Sequence, residues 1–161
     1  MSVPLTRNCR NTRPIVEEVQ RRTGCEMGHK EQGEGPRVEF VEAQAGQSSE
    51  RRTEAVIKKL LADGVAMSHI TILSPRTWAE SCASRLSDQI SREVIQLDEC
   101  SMREFPPSRI SFARIQDFKG LENTAIVMVD LDKTLFDQHP PALLYVGMSR
   151  ARAYLAMVTE A

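Results

Sequence analysis

The sequence predicts an α/β domain built on a mainly parallel sheet, and three observations carry that prediction. Compact apolar runs recur at residues 70–73, 110–115, 125–129 and 154–158, as buried strands require. Between them lie stretches with apolar residues at helical spacing, such as Ala55, Val56, Leu60 and Leu61. Glycine, proline and serine punctuate the boundaries, and strands that alternate with helices favour parallel pairing. A length of 161 residues suits a single domain over 1–161, and 41% hydrophobic with 27% charged residues is enough for a packed core.

The elements follow in order. A short extended piece is expected at residues 3–5, then a polar turn. A helix begins near Thr12, tolerates Pro14 in its first turn and buries Ile15, Val16 and Val19 before stopping near Gly24. Residues 24–36 hold Gly24, Gly28, Gly33, Gly35 and Pro36 and are strongly polar, so they read as a flexible loop. Val38, Phe40 and Val41 suggest a short strand. Ser48 or Ser49 caps the next helix, which ends at Gly64. The strand at 70–73 closes on Ser74-Pro75, a helix is expected over 77–89, and a short strand over 94–97. A helix over 141–152 precedes the last strand. Ligands of such sheets sit at the carboxyl ends of the strands. That rule points to residues 74–77, 116–122 and 130–132, and it does not reach Arg150 in the late helix.

Composition narrows the function. A net charge of -1 gives no global attraction for nucleic acid, and 5% aromatic residues argue against a stacking platform for bare single strands. Cys9, Cys25, Cys82 and Cys100 form no C-x-x-C pair, so free thiols in a reducing cytoplasm are expected. Cys25 and His29 lack the second close pair that a zinc site needs, and no metal site is expected. No apolar run approaches membrane-spanning length.

Two motifs concern phosphate chemistry. The phosphate-cradling pattern G-x-x-x-x-G-K-[ST] does not occur: Gly28 and Gly33 have its spacing, but Glu34 follows where lysine is required. The chain is therefore not expected to hydrolyse ATP alone. The run I-V-M-V-D-L-D-K-T-L-F at 126–136 resembles the first motif of haloacid-dehalogenase-type phosphatases. That resemblance would make Asp130 a nucleophile and Asp132 an acid/base, with Thr134 nearby. The later acidic pair of those enzymes has no counterpart in the last 25 residues, so a solvated strand end is expected instead.

The remaining motifs fit one family together. F-K-G-L-E at 118–122 resembles motif V of UvrD/Rep-like superfamily 1 helicases, and L-L-Y-V-G-M-S-R-A-R at 143–152 resembles their motif VI. P-L-T-R-N-C-R-N-T at 4–12 is similar to motif IV, commonly N-Y-R-S, and D-L-D-K-T-L-F is similar to the continuation after motif V. The resemblance implies the C-terminal RecA-like motor domain, 2A, a three-layer fold without its own phosphate loop. It implies ATP held jointly with a 1A domain, in the same or another chain, which supplies the phosphate loop and the Mg2+ ligands. Arg10 and Arg150 would face the γ-phosphate, Glu122 would accept a ribose hydroxyl, and Gly120 would let the backbone approach the nucleotide. Single-stranded DNA would meet Gln116, Arg76 and Thr77. Cys9 stands where the family has an adenine-stacking tyrosine, and Gln116 where it often has histidine. Trp78 is expected to cover the core edge rather than stack on a base. A non-catalytic module for DNA or protein binding is the alternative.

Overall fold

The computed structural model describes residues 7–8, 10–27, 29–30, 33–132 and 141–160. The expected extension at 3–5, Cys9 and Thr134 lie outside the described residues. Six strands form one all-parallel sheet: β3 (Glu39–Val41), β4 (Ile70–Ser74), β5 (Val94–Gln96), β6 (Ile110–Arg114), β7 (Asn123–Leu131) and β8 (Ala151–Thr159). Their order across the sheet is β3-β8-β7-β4-β6-β5. A separate parallel pair joins β1 (Arg7–Asn8) to β2 (His29–Lys30), which falls inside the glycine-rich stretch read as a loop.

The central strands are buried on both faces, which is why they read as continuous apolar runs rather than alternating ones. Along β7, Ala125, Val127 and Val129 face one layer, and Ile126 and Met128 face the other. The first layer is α2 (Ser49–Ala62), which packs Val56, Ile57 and Leu60 onto the sheet. The second is α1 (Arg13–Thr23), with Ile15 and Val19, beside α5 (Pro141–Ser149), with Leu144 and Met148. The result is the three-layer α/β/α arrangement of a RecA-like domain. Gly147 lets α5 lie close on β7: a Cβ there would sit 2.6 Å from Met128 Cε.

Three stretches differ from the sequence reading. The helix expected over 77–89 is instead two 3-10 turns, Trp78–Glu80 and Cys82–Arg85, followed by the short α3 (Asp88–Ser91). Serine side chains compete with the helical ladder here. Ser81 Oγ accepts from the Ala83 amide, while Ser87 donates both its amide and its hydroxyl to Glu54. The late helix stops at Ser149 instead of 152, because Arg150 and Ala151 already pair with β7 through the Asn123 amide and register. The short α4 (Glu99–Arg103) had not been foreseen. It starts on a reciprocal cap between Asp98 and Ser101.

Candidate functional site

The segments picked out by sequence separate onto opposite edges of the sheet. The carboxyl-end rule had grouped residues 116–122 together. In the fold, the stretch from β6 to β7 runs the whole height of the sheet, so Gln116 stays at the carboxyl edge and Glu122 arrives at the amino edge.

At the amino edge, the segment before α1 meets the first residues of β7 and β8. Glu122 lies between two arginines, with Arg10 Nε at 3.4 Å and Arg152 Nε at 3.9 Å. Arg10 and Arg152 are exposed, so these are surface pairs of modest strength. Arg150 forms the one-residue turn from α5 to β8. Its amide donates to Gly147 O at 3.2 Å, and its carbonyl accepts from the Asn123 amide at 3.0 Å. Its Nε is buried with no hydrogen-bond partner, and no carboxylate pairs with it among the described residues. Neither Arg150 nor Arg152 is on a helix face: the second belongs to β8. Asn11, which sequence reasoning passed over although it lies within the motif IV match, is 2% exposed. Its Nδ2 donates to Ser149 O at 2.9 Å and to Ala151 O at 2.5 Å. The next residue continues this seam, since the Thr12 amide donates to Arg152 O at 3.0 Å. Gly120 has φ 78°, a left-handed conformation that glycine adopts without strain, and a Cβ there would meet open space. The turn itself therefore calls for glycine at this position. Among the described residues, the ion pairs at this edge set two guanidinium groups, Arg10 and Arg152, against the Glu122 carboxylate.

At the carboxyl edge the balance reverses. Arg76 donates through both terminal nitrogens to Glu160, at 3.1 and 2.9 Å, and reaches Asp132 at 3.0 Å and Asp130 at 4.0 Å. It thus ties the ends of β4, β7 and β8 together. Asp130 is fully buried, contrary to the solvated strand end expected of it. A register shift between Met128 and Leu131 and a φ of 58° turn it inward, a conformation aspartate tolerates better than most residues. Its Oδ2 accepts from Ser74 Oγ and Ser81 Oγ, both at 2.5 Å, and its Oδ1 accepts from the Cys82 amide at 2.9 Å. A carboxylate so enclosed has no open face for an incoming phosphate, which removes the nucleophile that a phosphatase would need. Burial, and then Asp130 beside it, push the Cys82 thiol up to about 12, so this cysteine is not a nucleophile either.

Thr77 and Gln116 are exposed at the same edge. Thr77 Oγ1 donates to Glu80 at 2.7 Å, and Gln116 Nε2 lies 3.5 Å from Pro75 O. Trp78 packs edge-on against Phe112, with centroids 5.0 Å apart, so it covers the core edge as expected. The structure thus brings Arg10, Glu122, Gly120 and Arg150 to one edge and Arg76, Thr77 and Gln116 to the other. Glu160, which closes the Arg76 cage, carried no sequence signal. Among the described residues, no group of three or more His, Cys, Asp or Glu side chains could hold a metal ion, and no helix is long and apolar enough to cross a membrane.

No protein-family model matches the sequence, and no curated protein matches it. Among solved structures, the chain is similar to the crystal structure of the C-terminal domain of a possible DNA helicase from Lactobacillus plantarum WCFS1. The TM-score is 0.65 at 18% sequence identity, over 93% of this chain and 86% of the other. At that identity the likeness shows the fold alone.

Proposed function

We propose that this chain is the C-terminal motor half of a UvrD/Rep-like superfamily 1 ATP-dependent DNA helicase. The observation that supports this most is the amino edge, where Arg150, with no carboxylate partner among the described residues, lies on the same edge as the Arg10–Glu122 pair. On this reading a separate 1A domain holds ATP in its phosphate loop and supplies the Mg2+ ligands. Arg150 and Arg10 then close on the phosphates from the opposite side. A guanidinium suits the task because it stays charged and donates in a fork that matches phosphate oxygens. The exposed Arg10–Glu122 pair is weak enough to open, so that Arg10 can turn toward phosphate and Glu122, still beside Arg152, can accept from a ribose hydroxyl. Gly120 shapes the turn that delivers Glu122. Single-stranded DNA would lie along the carboxyl edge, against Gln116 and Thr77, and Arg76 would contribute only if it exchanged its carboxylates for a DNA phosphate.

The test is ATP hydrolysis by this chain alone and after addition of the phosphate-loop domain that pairs with it. The chain alone should turn over no ATP. The pair should be active, and Arg150→Ala should cut that activity by about a thousandfold. Robust turnover by the chain alone, unaffected by Arg150→Ala, would sink the reading.

A second reading, a non-catalytic docking module, is favoured by the carboxylates around Arg76, which oppose a DNA backbone. Titration of labelled single-stranded DNA at rising salt separates the two. A phosphate-gripping domain weakens steeply with salt, whereas a protein adaptor binds no DNA at all.

A further inference from the structure

We propose that Asn11 is the positioning residue for Arg150, a role that rests on the motor reading above. Arg150 is the single residue between the end of α5 and the start of β8, so its direction depends on how those two ends are held. Its backbone is fixed on two sides, by Gly147 O and by the Asn123 amide. The third hold comes from Asn11. The two protons of its side-chain amide go to the carbonyls on either side of Arg150, those of Ser149 and Ala151. This contact spans some 140 residues of sequence and joins the motif that carries Arg10 to the motif that carries Arg150. Asn11 is buried at 2% exposure, so water cannot take over the task. The chemistry is specific to a primary amide. A hydroxyl has one proton to offer, and a carboxylate would set oxygens against two carbonyl oxygens. Arg150 Nε has no hydrogen-bond partner to steer the side chain, so the hold on the backbone bears on its direction.

The test compares Asn11→Ala, Asn11→Ser, Arg150→Ala and the Asn11/Arg150 double alanine variant. ATP turnover is measured with the phosphate-loop domain present. Asn11→Ala should lower kcat by about a hundredfold with KM nearly unchanged, the usual scale for a misplaced catalytic group. It should add no further loss in the Arg150→Ala background, and Asn11→Ser should recover part of the rate. Losses that multiply in the double variant, or full activity in Asn11→Ala, would overturn the proposal. If Asn11→Ala does not fold, Asn11→Ser carries the same comparison. If Arg150→Ala itself costs nothing, the motor reading fails. The positioning claim is then decided by the Arg150 Nε–H signal in NMR spectra of the chain alone. That signal should shift in the Asn11 variants while the amides of β4 to β6 stay in place, and an unmoved signal would refute positioning.

Discussion

The two edges of one sheet are built from the same ingredients, arginine and carboxylate, in opposite proportions. At the amino edge, Arg10 and Arg152 flank Glu122, and Arg150 sits in the turn before β8 with no carboxylate partner among the described residues. At the carboxyl edge, Asp130, Asp132 and Glu160 surround a single Arg76. The first leaves a buried guanidinium nitrogen, Arg150 Nε, without a hydrogen-bond partner among the described residues. The second uses its arginine to fasten three strand ends. An arginine beside a strand end is therefore not a binding residue by virtue of position: the carboxylate count around it decides whether it is available for a ligand or serves as a brace. The proposed nucleotide contacts lie at the amino edge, opposite to where the general rule for parallel sheets would look first.

The largest effect that would sharpen the contrast is at the brace. Asp130→Ala leaves the Ser74 and Ser81 hydroxyls and the Cys82 amide without their acceptor in a fully buried place. It should lower stability by about 3 kcal/mol or more, measured by urea unfolding, while Glu122→Ala at the exposed amino edge should cost well under about 1 kcal/mol. Equal losses at the two positions would break the distinction between brace and site. A smaller effect concerns DNA. Asp132→Asn combined with Glu160→Gln leaves Arg76 with Asp130 alone of its three carboxylates, at 4.0 Å, and removes two negative charges. Single-stranded DNA affinity should then rise several-fold and its salt dependence should steepen. Unchanged binding would take the carboxyl edge out of the DNA path.

Much of the fold was legible because its signals are local. The apolar runs of β4 and β7 and the periodic faces of α1 and α2 announce strands buried on both sides and helices buried on one. The helix expected over 77–89 failed because its serines take distant partners: Ser81 bonds to Asp130, 49 positions away, and Ser87 to Glu54, and no local reading connects them. That the segments carrying Arg10, Glu122 and Arg150 share one edge was expected from the family resemblance of three ordered motifs. Its mechanical basis was not. Asn11 lies within the motif IV match, but nothing in the sequence marks it as buried, and only the fold carries its amide to the two carbonyls that flank Arg150. Glu160 is similar, since only the parallel alignment of β7 and β8 brings it to Arg76.

The central claim is that the amino edge is one wall of a nucleotide site, and the most direct measurement is an NMR titration of the nitrogen-15-labelled chain with Mg2+–ATP. The account predicts weak, millimolar-range binding, with amide shifts gathered at Asn11, Glu122, Asn123, Arg150 and Arg152 and abolished by Arg150→Ala. Shifts gathered instead around Arg76, Asp130 and Asp132, or an amino edge that stays silent at saturating nucleotide, would contradict it.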